Sequence, residues 1–429
     1  MRNLLAGSGI PLPGPFFVNI RSLAMPKTMV LLLAALGMIG SLAIDTYLPA
    51  LPTMAHSFSV SALRMQQTLS VFLFAFALMM LLHGSLSDRF GRRPVILIAL
   101  LVFSVGCLLA SMAESYEILL ISRGLQGLAA GAGAVVGRAM IQDMAEGNAA
   151  VKAMSQVNMT FALAPAVAPI LGGWLLFYAG WRSIFVFLGV FAILLWLACL
   201  RWLPESLPKN RRSNGNLKAQ STIFATALRD RRFLLLTLAG GLAFVVFSIY
   251  IGAAAPFVIE ILHQNETAFG WLFVPLVTGM ITGSAIGARL VGRWGRCTLI
   301  TRGYVMMITA SSLGVIGFLT WPASLPWAVI PLIFGTMGFA WVAPGLTVSA
   351  LAPWSDNRGM ASSLLTALQT LIFALFSSVV APLVAGQAWT LSLTVLLASL
   401  LSLVCWRLAQ KNPDTQIVSN PSKTQGDTI

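Results

Sequence analysis

Apolar residues run along this chain in long blocks separated by short polar breaks. A helix rises about 1.5 Å per residue, so crossing a hydrocarbon core about 30 Å thick takes about 20 mostly apolar residues. On that measure the pattern predicts about twelve spans, over 28–50, 66–85, 94–113, 117–138, 154–178, 181–202, 234–257, 270–290, 299–320, 325–348, 360–383 and 388–408. Six precede and six follow one longer polar stretch, 204–232, in which Lys209, Arg211, Arg212, Lys218, Arg229, Arg231 and Arg232 are spaced by Ser, Asn and Gly. The expected organisation is an extension at 1–26, a six-helix half at 27–203, a linker at 204–232, a second six-helix half at 233–408 and a polar tail at 409–429. Gly and Pro interrupt the stretch between Arg2 and Arg21, a poor signal-peptide core, and Met25 is an equally good start because the spans begin directly after it. The fold class expected is an all-α membrane protein.

Composition agrees. Hydrophobic residues make up 58% of the chain and charged residues 9%, against roughly 25% charged in an ordinary soluble domain, so too few charges remain to coat a soluble surface. The net charge of +14 raises the question of nucleic acid. With the N-terminus inside, however, Arg64 and Arg182 fall on the outer side, Arg123 falls within a span, and the other basic residues lie in inner loops, inner helix ends or tails. That bias places both termini in the cytoplasm and leaves no continuous patch for nucleic acid. Cys107, Cys199, Cys297 and Cys405 lie in or beside apolar spans without close pairing and read as small hydrophobes, so neither a disulfide nor a metal site is expected. The sequence has no GKS or GKT phosphate loop and no HExxH string, which argues against an ATP-driven machine and an intramembrane protease.

Two sets of six spans suggest a duplication. Between the second and third spans the chain reads GSLSDRFGRRP, Gly84 to Pro94, and between the eighth and ninth ARLVGRWGRCT, Ala288 to Thr298. At an offset of 204 residues Arg89, Gly91 and Arg92 fall on Arg293, Gly295 and Arg296, with Phe90 over Trp294. Repeated six-helix halves are an architecture in which a solute site lies between them near the midplane and access alternates by rocking. The first connection also sets Asp88 among Arg89, Arg92 and Arg93. Arginines alone would serve topology, but the acid and the glycine spacing point to a latch: a carboxylate can meet a helix N-terminus, and an arginine an acid at another helix end.

Here the chain resembles the major facilitator superfamily, and within it the twelve-helix drug:proton antiporters. Gly84, Asp88, Arg89, Gly91, Arg92 and Arg93 match the superfamily's signature between the second and third helices. In the fourth span SRGLQGLAAGAGA carries Arg123, Gln126 and Gly127, like the family's membrane-embedded arginine followed by glutamine and glycine. In the fifth, APAVAPILGG is similar to the antiporter signature: Pro169, Gly172 and Gly173 are present, with Ala168 where a glycine is usual. IDTYLPALP from Ile44, GWRSIF from Gly180 and LPESL from Leu203 look like the bicyclomycin and chloramphenicol resistance branch. The resemblance implies a monomeric carrier in the bacterial inner membrane. It also implies a gate in which Asp143 pairs with Arg92 and the start of the eleventh span, near Arg358, Gly359 and Ser362, offers backbone amides to Asp88.

An ionisable side chain inside a span costs several kcal/mol and is a functional candidate by default. Asp45 lies about five residues from the outer end of the first span and Arg123 about six from the outer end of the fourth, so both sit within roughly 10 Å of the outer boundary. They are expected to face each other, with a proton or a cationic solute competing for the carboxylate, and Tyr47 and Gln126 beside them complete the candidate coupling and substrate set. The alternative is an interfacial Asp45 and a snorkelling Arg123. Ile249 stands at the 204 offset from Asp45 with Tyr250 adjacent, so the second half is expected to supply apolar and aromatic wall, Phe244, Phe247 and Tyr250 included. His83 invites a proton-relay reading but fits a structural role better.

The function expected is proton-coupled export of small lipophilic drugs; a carrier of a metabolite such as a nucleoside or amino acid is the alternative. The partners expected are a small-molecule substrate, protons and membrane lipid, with no cofactor.

Overall fold

The computed structural model describes residues 26–145, 147–212, 217–265, 267–354 and 358–411. The expected extension before residue 26, the middle of the linker and the tail after residue 411 lie outside them. α1 (Lys27–Asp45) passes through a 3₁₀ turn at Leu48–Ala50 into α2 (Leu51–Ser57), followed by α3 (Ala62–Phe90), α4 (Arg92–Ser111), α5 (Tyr116–Ala130), α6 (Ala132–Met144), α7 (Gly147–Ala179) and α8 (Arg182–Trp202). The linker holds a 3₁₀ turn at Lys209–Arg211 and α9 (Leu217–Arg229). Then come α10 (Arg231–Ala243), α11 (Val245–Gly252), α12 (Gly270–Trp294), α13 (Arg296–Thr320), α14 (Ile330–Leu351), α15 (Arg358–Leu375), α16 (Ala381–Val384) and α17 (Ala388–Lys411), with π-helical segments at Pro256–Ile261 and Phe376–Val380.

Among the described residues ten helical segments are long and apolar enough to cross a membrane, and α10 with α11, bent by 45°, makes an eleventh. α7 covers the fifth expected span with 33 residues, about 50 Å of helix. Several helices overrun the hydropathy pattern, because that pattern marks only the hydrocarbon-embedded part while backbone hydrogen bonding continues into the interface. α3 is the clearest case: Ser61 Oγ caps it, accepting from Arg64 N at 3.2 Å, and it runs on to Phe90.

α1 and α3 to α8 pack chiefly on one another, as do α10 to α17. The two groups meet where α3 lies against α15 and α7 against α12. The linker is built rather than merely polar. α9 packs on α10 and α15, and Asp230 caps α10, its Oδ1 accepting from Arg232 N at 2.9 Å and Phe233 N at 3.2 Å. One end of the bundle, the arginine-rich end, gathers Arg89, Arg92, Arg93, Arg293 and Arg296 at helix ends.

Candidate functional site

Asp45 closes α1: Thr46 caps the helix, and the proline of Leu48-Pro49 cannot extend an α-helical ladder. The residue is 3% exposed, and its carboxylate has no hydrogen-bond or ion-pair partner among the described residues. Arg123, on α5, is fully buried. Its guanidinium lies between two rings, 4.4 Å from the centroid of Tyr47 and 4.4 Å from that of Phe72. Nη1 donates to Gln126 Oε1 at 2.5 Å and Nη2 to the Ala43 carbonyl at 3.1 Å. The expected pairing of Asp45 with Arg123 is therefore corrected: two π faces, an amide oxygen and a backbone carbonyl take up the arginine's charge. Similar depth holds, since Ala43 is two residues from Asp45.

Local sequence explains the arrangement. Arg123 and Gln126 are helix neighbours one turn apart, and Gly127 lets α5 press on α3 so closely that a Cβ there would overlap the Phe72 carbonyl. That approach lays Phe72 on the guanidinium. Tyr47 is fixed from its far end, its hydroxyl bonded to Thr68, which donates to the Met65 carbonyl at 2.6 Å. In α7 Pro169, Gly172 and Gly173 are buried. A Cβ on Gly172 would overlap the Thr46 carbonyl, so this motif brings α7 against the chain right beside Asp45. Arg123 Nε and Gln126 Nε2 are left buried without an acceptor among the described residues. His83 is buried, its Nδ1 without a hydrogen-bond partner among the described residues.

At the arginine-rich end the stretch expected as a loop is almost all helix. α3 carries Gly84, Asp88 and Arg89 to Phe90, Gly91 breaks it at φ +104°, and Arg92 opens α4. A positive φ is cheap only for glycine. Arg92 Nη1 meets Asp88 Oδ1 at 2.5 Å and donates to Ser87 Oγ at 2.6 Å, and Nε meets Asp143 Oδ2 at 3.0 Å. The expected Arg92–Asp143 pair is thus made. Asp88 turns to Arg92, and the expected bond from the start of α15 is not made among the described residues. Arg93 Nη2 donates to the Leu200 carbonyl at 2.8 Å, and Arg89 is exposed beside the Phe90 ring.

Three further members were not singled out in the sequence. Glu205 Oε1 accepts from Arg92 N, the first amide of α4, at 2.9 Å, and from Leu207 N at 3.0 Å. Its Oε2 meets Arg212 at 3.5 Å. Ser206 Oγ donates to Asp143 Oδ2 at 2.8 Å. A carboxylate on a helix's first amide satisfies an orphan donor and complements the helix dipole. The LPESL string carried the signal for Glu205 and Ser206.

At the opposite end Gln66, near the start of α3, reaches across to the other group. Its Nε2 donates to the Ser377 carbonyl at 3.0 Å and the Gly252 carbonyl at 3.4 Å. Those acceptors adjoin because Gly252 has no side chain, a Cβ there overlapping the Ser377 carbonyl of the π segment. Within the second group, Ile249 occupies the counterpart of Asp45 and is fully buried, and Tyr250 meets Ser392 Oγ at 3.2 Å. At the bend between α10 and α11, Phe244 lies 5.3 Å from Phe247, 5.2 Å from Phe339 and 5.5 Å from Phe373 between ring centroids.

A bundle with these interior charges and no soluble domain among its described residues has the form of a membrane transporter. The sequence model of the Major Facilitator Superfamily matches residues 33–377, and the chain belongs to that superfamily. Multidrug resistance protein D of Escherichia coli (strain K12) is 26% identical over 378 residues, 88% of this chain and 94% of that protein. The chloramphenicol resistance protein of Pseudomonas aeruginosa is 31% identical over 286 residues, 66% of this chain and 67% of that protein. The crystal structure of a D-xylose-proton symporter superposes with a TM-score of 0.70 at 17% identity, over 87% of this chain and 96% of that one, a likeness of fold. The protein is a multi-pass carrier of small molecules and not an enzyme.

Proposed function

We propose that this carrier exports small lipophilic drugs across the bacterial inner membrane in exchange for protons, as a monomer working by alternating access. The observation that carries the reading is Asp45, a buried carboxylate with no protein partner among the described residues, at the depth of an arginine whose Nη1 and Nη2 are bonded elsewhere. Such a group is free to bind a proton or a drug in turn. Coupling requires that the two ligands prefer different protonation states of that one site. Arg123 acts by position: its bond to the Ala43 carbonyl holds the end of α1, Tyr47 and Phe72 hold the guanidinium, and Gly172 lets α7 sense the same place. The names of relatives, multidrug resistance and chloramphenicol resistance, support drugs as the cargo.

The positive-inside bias puts the arginine-rich end and both termini in the cytoplasm. On that orientation Gln66 ties the two groups together on the outer side. Residues 27–203 and 233–408 act as the two rocking halves in a lipid bilayer, 204–232 ties them, and Gly84, Asp88, Arg89, Gly91, Arg92, Arg93 and Asp143 with Glu205 set the cytoplasmic gate. Proteoliposomes with an imposed pH gradient test the reading. Drug flux should follow the gradient, and Asp45→Asn should insert and fold yet lose gradient-driven flux. Undiminished flux in that variant rules out the assigned carboxylate, and flux that ignores the gradient rules out antiport.

A further inference from the structure

The seam between α10–α11 and α15 carries chemistry that neither the buried carboxylate nor the cytoplasmic gate uses. The helices on both sides of the seam leave the arginine-rich end and stay in step. Gly240 lies against Gln369 so closely that a Cβ there would overlap Gln369 Nε2. One turn further the Phe244 ring stands 5.5 Å from Phe373. Beyond them Gly252 abuts the Ser377 carbonyl, and Gln66 closes the seam.

Gln369 is a carboxamide in an apolar span, partly exposed, with no hydrogen-bond partner among the described residues. An unmatched amide in apolar surroundings is costly, so its position needs a reason. Its contact with Gly240 turns it towards α10 and away from lipid, and the adjacent Thr370 faces α3, its Oγ1 3.9 Å from Met80 Sδ. One turn above, Phe244 and Phe339 keep part of their rings open while Phe247 and Phe373 are buried behind them. A free amide thus lies directly below an accessible aromatic surface, on the arginine-rich side of the Gln66 seal.

We propose that Gln369 and the phenylalanine cluster centred on Phe244 form a specificity subsite for aromatic cargo. A ring of the cargo packs on Phe244 and Phe339, and a hydrogen-bonding group next to that ring, an amide, carbonyl or hydroxyl, meets the Gln369 carboxamide. The subsite deepens the exporter reading and rests on it, naming which lipophilic drugs are held well: those with a polar group on an aromatic body.

Equilibrium binding to the purified full chain, with no pH gradient, tests the subsite apart from transport. Two probes suffice: chloramphenicol, which has an aromatic ring, hydroxyls and an amide, and tetraphenylphosphonium, which has rings and no hydrogen-bonding group. Gln369→Leu should weaken chloramphenicol by about three- to ten-fold, the worth of one hydrogen bond, and leave tetraphenylphosphonium within about two-fold. Phe244→Ala should weaken both by about ten-fold, and Gln369→Asn should recover part of the chloramphenicol affinity. The proposal is overturned if Gln369→Leu changes both probes alike or neither, if Phe244→Ala binds both as wild type does, or if the wild-type chain binds neither. Monodisperse elution of each variant, with the Asn rescue, separates lost contact from lost fold. A chain that shows the expected binding pattern yet moves neither probe against a gradient overturns the exporter reading alone.

Discussion

In both Gly84–Pro94 and Ala288–Thr298 a helix runs to an aromatic residue, Phe90 or Trp294, and a glycine at positive φ breaks it, Gly91 at +104° or Gly295 at +74°. An arginine, Arg92 or Arg296, then opens the next helix. Asp88, Asp143 and Glu205 surround Arg92. Around Arg296 stands no acid among the described residues: Arg293 and Arg296 are exposed, and Gly292 holds the place of Asp88. The same split recurs within the membrane, where Asp45 and Arg123 face a counterpart region with Ile249 in place of the acid. Backbone stereochemistry alone keeps the turn, so its charges are a separate layer that one half has and the other lacks. Two halves alike in backbone at this turn can thus differ in charge, with the acids gathered in one of them.

Removing the arginine from each turn breaks that comparison most directly. Arg92→Ala leaves Asp88 and Asp143 without their cation, and a loss of about 2 to 4 kcal/mol is expected, whereas Arg296→Ala should stay within about 0.5 kcal/mol. Melting midpoints of the purified variants rank them, and equal losses would show the charge asymmetry to be idle. The glycines come next. Gly91→Ala and Gly295→Ala both force a side chain into positive φ at about 1 kcal/mol. Only at Gly91 does the new Cβ also overlap the Glu205 carboxylate and crowd Arg212, so it should lose about 1 kcal/mol more; the same melts would expose a matched pair as a contradiction.

Gln66→Leu removes the hydrogen bonds across the opposite end and should favour opening there by about 1 kcal/mol, roughly five-fold in population. Labelling of S248C, buried just inside the seal, by a membrane-impermeant maleimide should rise accordingly; an unchanged rate would remove Gln66 from the seal. The smallest effect is constructive. Gly292→Asp puts an acid one turn before Arg296, as Asp88 stands before Arg92, and should add about 0.3 to 0.5 kcal/mol, read as a slight rise in melting midpoint. A fall would mean that the second turn cannot accept the first one's chemistry.

Much of this is legible in the sequence. Apolar block length locates the spans, the glycine and arginine spacing marks both turns, and charge sign with family resemblance pairs Arg92 with Asp143. What escapes is geometry that carries no charge signature. Arg123 finds its partners in two rings and a carbonyl, and uncharged partners leave no trace in a search for opposite charges. Gln66 and Gln369 are single polar residues inside apolar blocks, which hydropathy averages away. The Gly84–Pro94 stretch reads as a loop because glycine and charge lower its hydropathy, yet only Gly91 leaves the helix.

The Gln66 seal has a bearing on how such a carrier changes over generations. Both of its acceptors are main-chain oxygens, and a main-chain oxygen stays in place whatever side chain the residue acquires. Ser377 is fully buried and Gly252 abuts its backbone, so both positions are confined by space rather than by hydrogen-bonding chemistry. The side-chain chemistry of the closure is thus written on α3, in a single codon, while the opposing wall contributes a backbone held in place by its packing.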